Sequence, residues 1–431
     1  MYERIAKTFS LLLLGSGQEV VFQLLGAAIW IQSWGVEVYG EWVMLSLIPM
    51  LATRGSSGLF HVAASQMIAA VAGNQRDAAA HTLRVLRRAQ TFWLAGIALV
   101  LVVISTTLFA SNPNPQISFL SVAAITAVFV IQFGLFQWQQ ADLTMLKAEG
   151  QAPRAVLWQT AFRTAFVIAI LVCSIWFGPA LSLTVAVVAQ ALVWLLTHIR
   201  LGSLRAQYDV HVDSTARVSM PALIRQGLQF SAFPLGQIGL HSIAVWAVGL
   251  AASPVAGAAF HNMRTISRML VLVARAVEQA LRLEMSAVII RDGIDLAKTL
   301  CRRAFNITLI IGIVWTAALL WIGPWVFRWI TRGELAFDLV VFTLLCLAAL
   351  CFSLAQPFSA ALFAINRHGP LANRYVLLLI AAAVTIVIVA FRGITSVAIG
   401  MLAADFALLI LAQHALSEVR HNTVGGMTHV V

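Results

Sequence analysis

A chain of 431 residues with 61% apolar and 10% charged side chains, and a mean hydropathy of +0.90, has too few polar groups to cover a water-soluble fold. Its net charge of +11 is scattered along the edges of apolar runs, a membrane-topology pattern that excludes a nucleic-acid partner. The four cysteines (Cys173, Cys301, Cys346 and Cys351) form no CxxC pair and three fall within apolar runs, which excludes a zinc site or a disulfide framework, so no metal or other cofactor is expected.

Apolar stretches of about 20 residues, the length that crosses a bilayer, recur from end to end. The first, 9–32, is too long for a signal peptide and lacks a small-residue cleavage site after it, so it is read as a retained helix. Further spans are predicted at 39–62, 89–110, 117–139, 154–177, 180–199, 227–250, 255–276, 304–325, 338–363, 375–391 and 394–414. Turn chemistry separates several of them: Ser111-Asn112-Pro113-Asn114-Pro115, Gly178-Pro179 and Ser253-Pro254. The prediction is an all-α polytopic membrane protein with about twelve transmembrane helices.

With both termini in the cytoplasm, twenty of the 28 Lys and Arg residues fall on the cytoplasmic side, and three (Arg328, Arg332 and Arg392) on the other. The remaining five lie within spans. This asymmetry fixes the expected orientation. The external loops are too short for an external catalytic domain.

Landmarks recur at nearly one offset. Val38-x-Gly40 and Val255-x-Gly257 open the second and eighth spans, 217 residues apart. Arg87-Arg88-Ala89 and Arg302-Arg303-Ala304 open the third and ninth, 215 apart. Leu146-x-Ala148-x-Gly150-Gln151 and Leu362-x-Ala364-x-Asn366-Arg367 close the fourth and tenth, 216 apart. We expect a parallel repeat of two six-helix lobes, 1–200 and 226–416, joined by a cytoplasmic linker over 201–225 and followed by a cytoplasmic tail over 417–431. Such lobes suit alternating access, one rocking against the other.

Ionisable residues inside spans mark function by default. The eighth span carries Arg264, Arg268 and Arg275, continued by Arg282, on one stripe of about 40° of a continuous helix at 100° per residue. Arg264 and Arg268 are too deep to face lipid and are expected to line a cavity; structural pairing with an acid is the plainer reading. Arg54 in the second span and Arg163 in the fifth join them as candidate cargo contacts. Glu19, Asp405, His241 and His261 are the candidate ion- or proton-coupling groups, although Glu19 paired with Arg54 would be structural. A cationic cavity favours an anionic cargo, and the guanidinium fork suits phosphate.

No Walker A sequence and no HExxH occur. Gly55-Ser56-Ser57-Gly58 matches the GxSG of rhomboid-type proteases, but no partnered histidine is evident, and a flexible polar break in the second span is the plainer reading.

Three segments carry a family resemblance: Gly35-Val36-Glu37-Val38-Tyr39-Gly40-Glu41-Trp42, Ser253-Pro254-Val255-Ala256-Gly257, and Leu362-Phe363-Ala364-Ile365-Asn366-Arg367. With them the chain resembles the multidrug/oligosaccharidyl-lipid/polysaccharide exporter superfamily, and most of all its bacterial polysaccharide repeat-unit flippases. Many relatives have Asp-x-Gly where this chain has Thr53-Arg54-Gly55, so no role carries over there. The resemblance implies a non-enzymatic transporter of the bacterial inner membrane. It would move a lipid-diphosphate-linked oligosaccharide outward, coupled to an ion gradient, beside a polysaccharide polymerase or export machinery. A cation-coupled multidrug exporter of the same superfamily is the alternative. A membrane-embedded polymerase or ligase is a third reading, from another class.

Overall fold

The computed structural model describes residues 22–112, 115–208, 219–272, 274, 294–364 and 368–418. Every regular element among them is a helix. In chain order these are α1 (22–34), α2 (Val36–Ala72), α3 (Arg76–Ala110), α4 (Phe119–Ala148), α5 (Ala152–Cys173), α6 (Pro179–Arg200) and α7 (Gly202–Tyr208). They are followed by α8 (Met220–Ala251), α9 (Pro254–Ser267), α10 (Ile294–Thr331), α11 (Leu339–Ala364), α12 (His368–Ala390) and α13 (Ile394–Ser417).

Nine helices among the described residues are long and apolar enough to cross a membrane. The other three expected spans fall on α1, α8 and α9. The protein is therefore an all-α polytopic membrane protein. Its helix starts follow from local chemistry. Ser118 and Ser253 cap α4 and α9 by accepting from Ser121 N and Ala256 N, and Asp338 Oδ1 accepts from Val340 N at 2.8 Å at the start of α11. Pro179 and Pro254 occupy first-turn positions, where a missing N–H costs nothing. Gly393, at φ 113°, turns α12 into α13 in a conformation closed to residues with a Cβ.

The chain divides into two compact units, Met1–Ser242 and Ile243–Val431, and the division falls within α8. The stretch expected as a linker contains α7 and the first residues of α8; 209–218 lie outside the described residues. In the first unit α4 is the hub, packing against α2, α3, α5 and α6, while α2 also meets α3 and α5 meets α6. In the second unit α11 packs against α9, α10, α12 and α13 in the same way, with α9 on α10 and α12 on α13. Element for element the two arrangements match. Ala152 and His368, which open equivalent helices, stand 216 residues apart, and Pro179 and Ile394 stand 215 apart. The internal repeat is present in the packing.

The first unit's core gathers Leu59, Phe60, Met67, Leu83, Leu86, Met145 and, from α8, Leu223. At the far end of these helices Trp30 and Trp34 stack at 5.7 Å, both meet Trp42 edge-on, and Trp30 Nε1 donates to Ser174 Oγ at 2.9 Å. In the second unit Trp321, Trp325 and Trp329 are exposed along the end of α10. Exposed tryptophans at helix ends fit the amphipathic headgroup layer.

Gly55-Ser56-Ser57-Gly58 is not a break: α2 is helical throughout. Gly58 serves a close crossing instead. Its N–H donates to Ser231 Oγ of α8 at 2.8 Å, and a Cβ there would lie 2.0 Å from the carbonyl oxygen of Gly227.

Candidate functional site

The second unit holds a buried charge cluster assembled from four helices. Arg264 lies on α9, only 7% exposed. Arg268 is half-buried at the C-terminal cap of the same helix, with its guanidinium carbon 5.0 Å from the centre of the Phe352 ring of α11. A contact of this kind is worth about 0.5–2 kcal/mol, rising with desolvation. Asp405 of α13 lies within electrostatic reach of Arg268 and Arg264. Tyr375 of α12, 3% exposed, lies within reach of the same three charges. Two guanidiniums and one carboxylate thus lie within electrostatic reach of one another. In a low-dielectric setting such charges interact strongly with one another.

The sequence predicts one unbroken stripe on the eighth span; the structure interrupts the helix at Arg268, and residues 269–272 are helical again. Ser267 Oγ donates to the Arg264 carbonyl at 2.9 Å, and α9 ends there. The chain then tightens to an i→i+3 turn, with Val271 N on the Arg268 carbonyl at 2.9 Å. Arg275 and Arg282 lie outside the described residues, as does Glu19.

The remaining expected residues are dispersed. Arg54 is half-buried mid-way along α2, beyond Pro49. Its carbonyl accepts the Ser57 hydroxyl at 2.8 Å, so the serine of the GxSG sequence is engaged within its own helix. Arg163 is half-buried on α5, His241 is buried on α8, and His261 sits half-buried one turn before Arg264.

Three features escape sequence reasoning. Glu41 accepts from Asn112 Nδ2 at 2.7 Å, Gln116 N at 2.7 Å and Ile117 N at 2.8 Å, fixing the connection between α3 and α4. Asp142, buried on α4, meets His198 Nδ1 at 3.3 Å and Arg205 Nε at 3.7 Å. Close by in the chain, Tyr208 donates to Glu149 Oε1 at 2.9 Å; burial and that carboxylate push its phenol pKa upward. Gln137 is buried on α4, and its backbone carbonyl accepts from Gln90 Nε2 at 2.9 Å.

The fold is shared with MATE-family transporters of the MOP superfamily. An inward-facing multidrug resistance MATE transporter aligns over 95% of this chain and 96% of its own, with a TM-score of 0.68 and 16% identity. A MATE mutant aligns over 98% and 96%, at 0.70 and 15%. A MOP-superfamily transporter from Pyrococcus furiosus Vc1, described by a binding pocket of reverse polarity, aligns over 99% and 96%, at 0.65 and 15%. At identities this low the TM-scores and the coverage establish a common fold alone, one of twelve transmembrane helices in two lobes. No family model and no curated protein matches the sequence.

Proposed function

We propose that this protein is a membrane transporter that works by alternating access and exports amphiphilic small molecules. Its fold neighbours support this reading, because they include both inward-facing and outward-facing conformations of a multidrug resistance MATE transporter. Energy would come from an ion gradient, with Asp405, Glu19, His241 and His261 as the titratable candidates inside the membrane.

A specific observation favours a second reading. Arg264 and Arg268 lie on neighbouring turns of the chain and both couple electrostatically to Asp405. Two guanidiniums can engage several oxygens of a diphosphate, which fits a lipid-linked oligosaccharide flippase of the bacterial inner membrane that supplies a polysaccharide polymerase. In this reading Arg54, Arg163, Arg275 and Arg282 are further cargo contacts.

One pair of measurements separates the two. Export of cationic amphiphilic dyes from cells and export of surface polymer are followed for the wild type, Arg264→Ala/Arg268→Ala and Arg268→Lys, with membrane abundance checked for each. A flippase loses polymer export in the double variant and is impaired in Arg268→Lys, because the fork is lost although the charge stays. A drug exporter retains dye efflux and leaves polymer unaffected. Wild-type protein active in neither assay would sink both readings.

A further inference from the structure

We propose that the groove between α5 and α6 is a binding site for an anionic phospholipid of the leaflet at the arginine-bearing ends of these helices. The groove is a cavity of about 580 Å³, lined by Leu157, Ala161, Thr164, Ala165 and Ile168 of α5 and by Ala189 of α6, among others. The α5 residues recur at three- and four-residue intervals, so they form one face of the helix. From Leu157 to Ala169 that face runs about 18 Å at 1.5 Å per residue, slightly more than half of a ~30 Å hydrocarbon core, and so matches the depth of one leaflet's acyl chains. Small side chains along the middle, Ala161, Thr164, Ala165 and Ala189, leave a shallow furrow. Leu157 and Ile168 are more than half exposed, so the furrow opens outward toward lipid.

The charge at one end selects the headgroup. On α5, Arg154 precedes Ala161 by seven residues, which is about 20° off the groove direction. On α6, Arg200 follows Ala189 by eleven residues, again about 20° off. The two helices pack together and run antiparallel, so both arginines sit at the same end of the furrow. Both are exposed. Arg154 Nη1 donates to Gln151 Oε1 at 2.9 Å, and neither arginine forms an ion pair among the described residues. Two guanidiniums beyond the mouth of an apolar furrow are complementary to a phosphate-bearing headgroup whose acyl chain lies in the furrow. Arg163 plays no part here: it projects from α5 about 160° away from Ala161.

The test uses full-length purified protein and native mass spectrometry after delipidation and titration with phosphatidylglycerol or phosphatidylcholine. The wild type should retain phosphatidylglycerol in preference to phosphatidylcholine. Arg154→Gln/Arg200→Gln should bind phosphatidylglycerol about 30-fold more weakly, while Arg154→Lys/Arg200→Lys keeps the preference. Ala161→Phe/Ala165→Phe, which fills the furrow from its open side, should lose both lipids. An equal affinity of the wild type for the two lipids would overturn the proposal. So would an unchanged preference in the double Gln variant. A wild-type dimer that the furrow-filling variant converts to monomer would make the groove a seam between copies and overturn it as well.

Discussion

A charge buried in a membrane protein is tolerable only with a partner, and Asp405 is the carboxylate within reach of Arg264 and Arg268. Removing one member of such a group leaves the others uncompensated. Asp405→Asn should therefore lower stability by about 3–5 kcal/mol, and Arg268→Met added to it should recover much of that loss. Thermal midpoints of the four corners of the cycle in one detergent decide this; simple additivity would show that the two side chains do not interact. Glu41 gives a second case. Its carboxylate holds two backbone N–H groups and one amide, so Glu41→Ala should cost about 2 kcal/mol and Glu41→Gln less, read as the same midpoint shift. The sequence reveals Arg264, Arg268 and Asp405 because any charge inside an apolar run stands out. Glu41 and Asp142 stay hidden because their partners lie 71 to 76 and 56 residues away, and no local pattern encodes such distances.

Elements are legible in kind, and the longest overruns of their expected extents lie at one side, although α10 also runs six residues past its expected end at 325. The second span was expected to stop at 62 and the third to start at 89, whereas α2 reaches Ala72 and α3 begins at Arg76. Likewise α4 continues to Ala148 and α10 begins at Ile294. Each of these longest overruns is at the arginine-bearing end. Apolarity marks only the part of a helix that lies in hydrocarbon, while the backbone ladder continues wherever polar side chains can be solvated. The crossing of α2 and α8 was illegible for another reason: a glycine's value there depends on what the opposite helix brings. Because a Cβ on Gly58 would strike the Gly227 carbonyl, Gly58→Ala should force the helices apart and cost about 1–3 kcal/mol. Gly96→Ala is the control. Nothing lies within 4 Å of its added Cβ, so stability should be kept or rise by up to about 1 kcal/mol through helix propensity. Gly→Ala raises helix propensity at both positions, so a loss in Gly58→Ala no larger than the change in Gly96→Ala would reject the crossing as its cause.

For the whole molecule, the connections between α3 and α4 and between α5 and α6 carry no Lys or Arg, while the opposite helix ends carry Arg76, Lys147, Arg154, Arg200 and Arg205. If this asymmetry sets orientation, reporter fusions at Asn114, Ser253 and Arg332 will read external, and fusions at Gln75, Asp209 and Asp292 internal. Reversal at two of the six sites would reject the assignment. The matched packing of the two units also has a consequence for biosynthesis. Among the described residues each unit has its own hub helix with its own neighbours, and α8 contributes to both units. The first unit is complete only once the ribosome has passed Ser242, because Leu223 of α8 belongs to its core. The remaining 189 residues, from Ile243 to Val431, then take roughly 10–40 s to synthesise. Throughout that interval a packed first unit waits in the membrane with α8 already started, a template laid down before the strand that will repeat it exists.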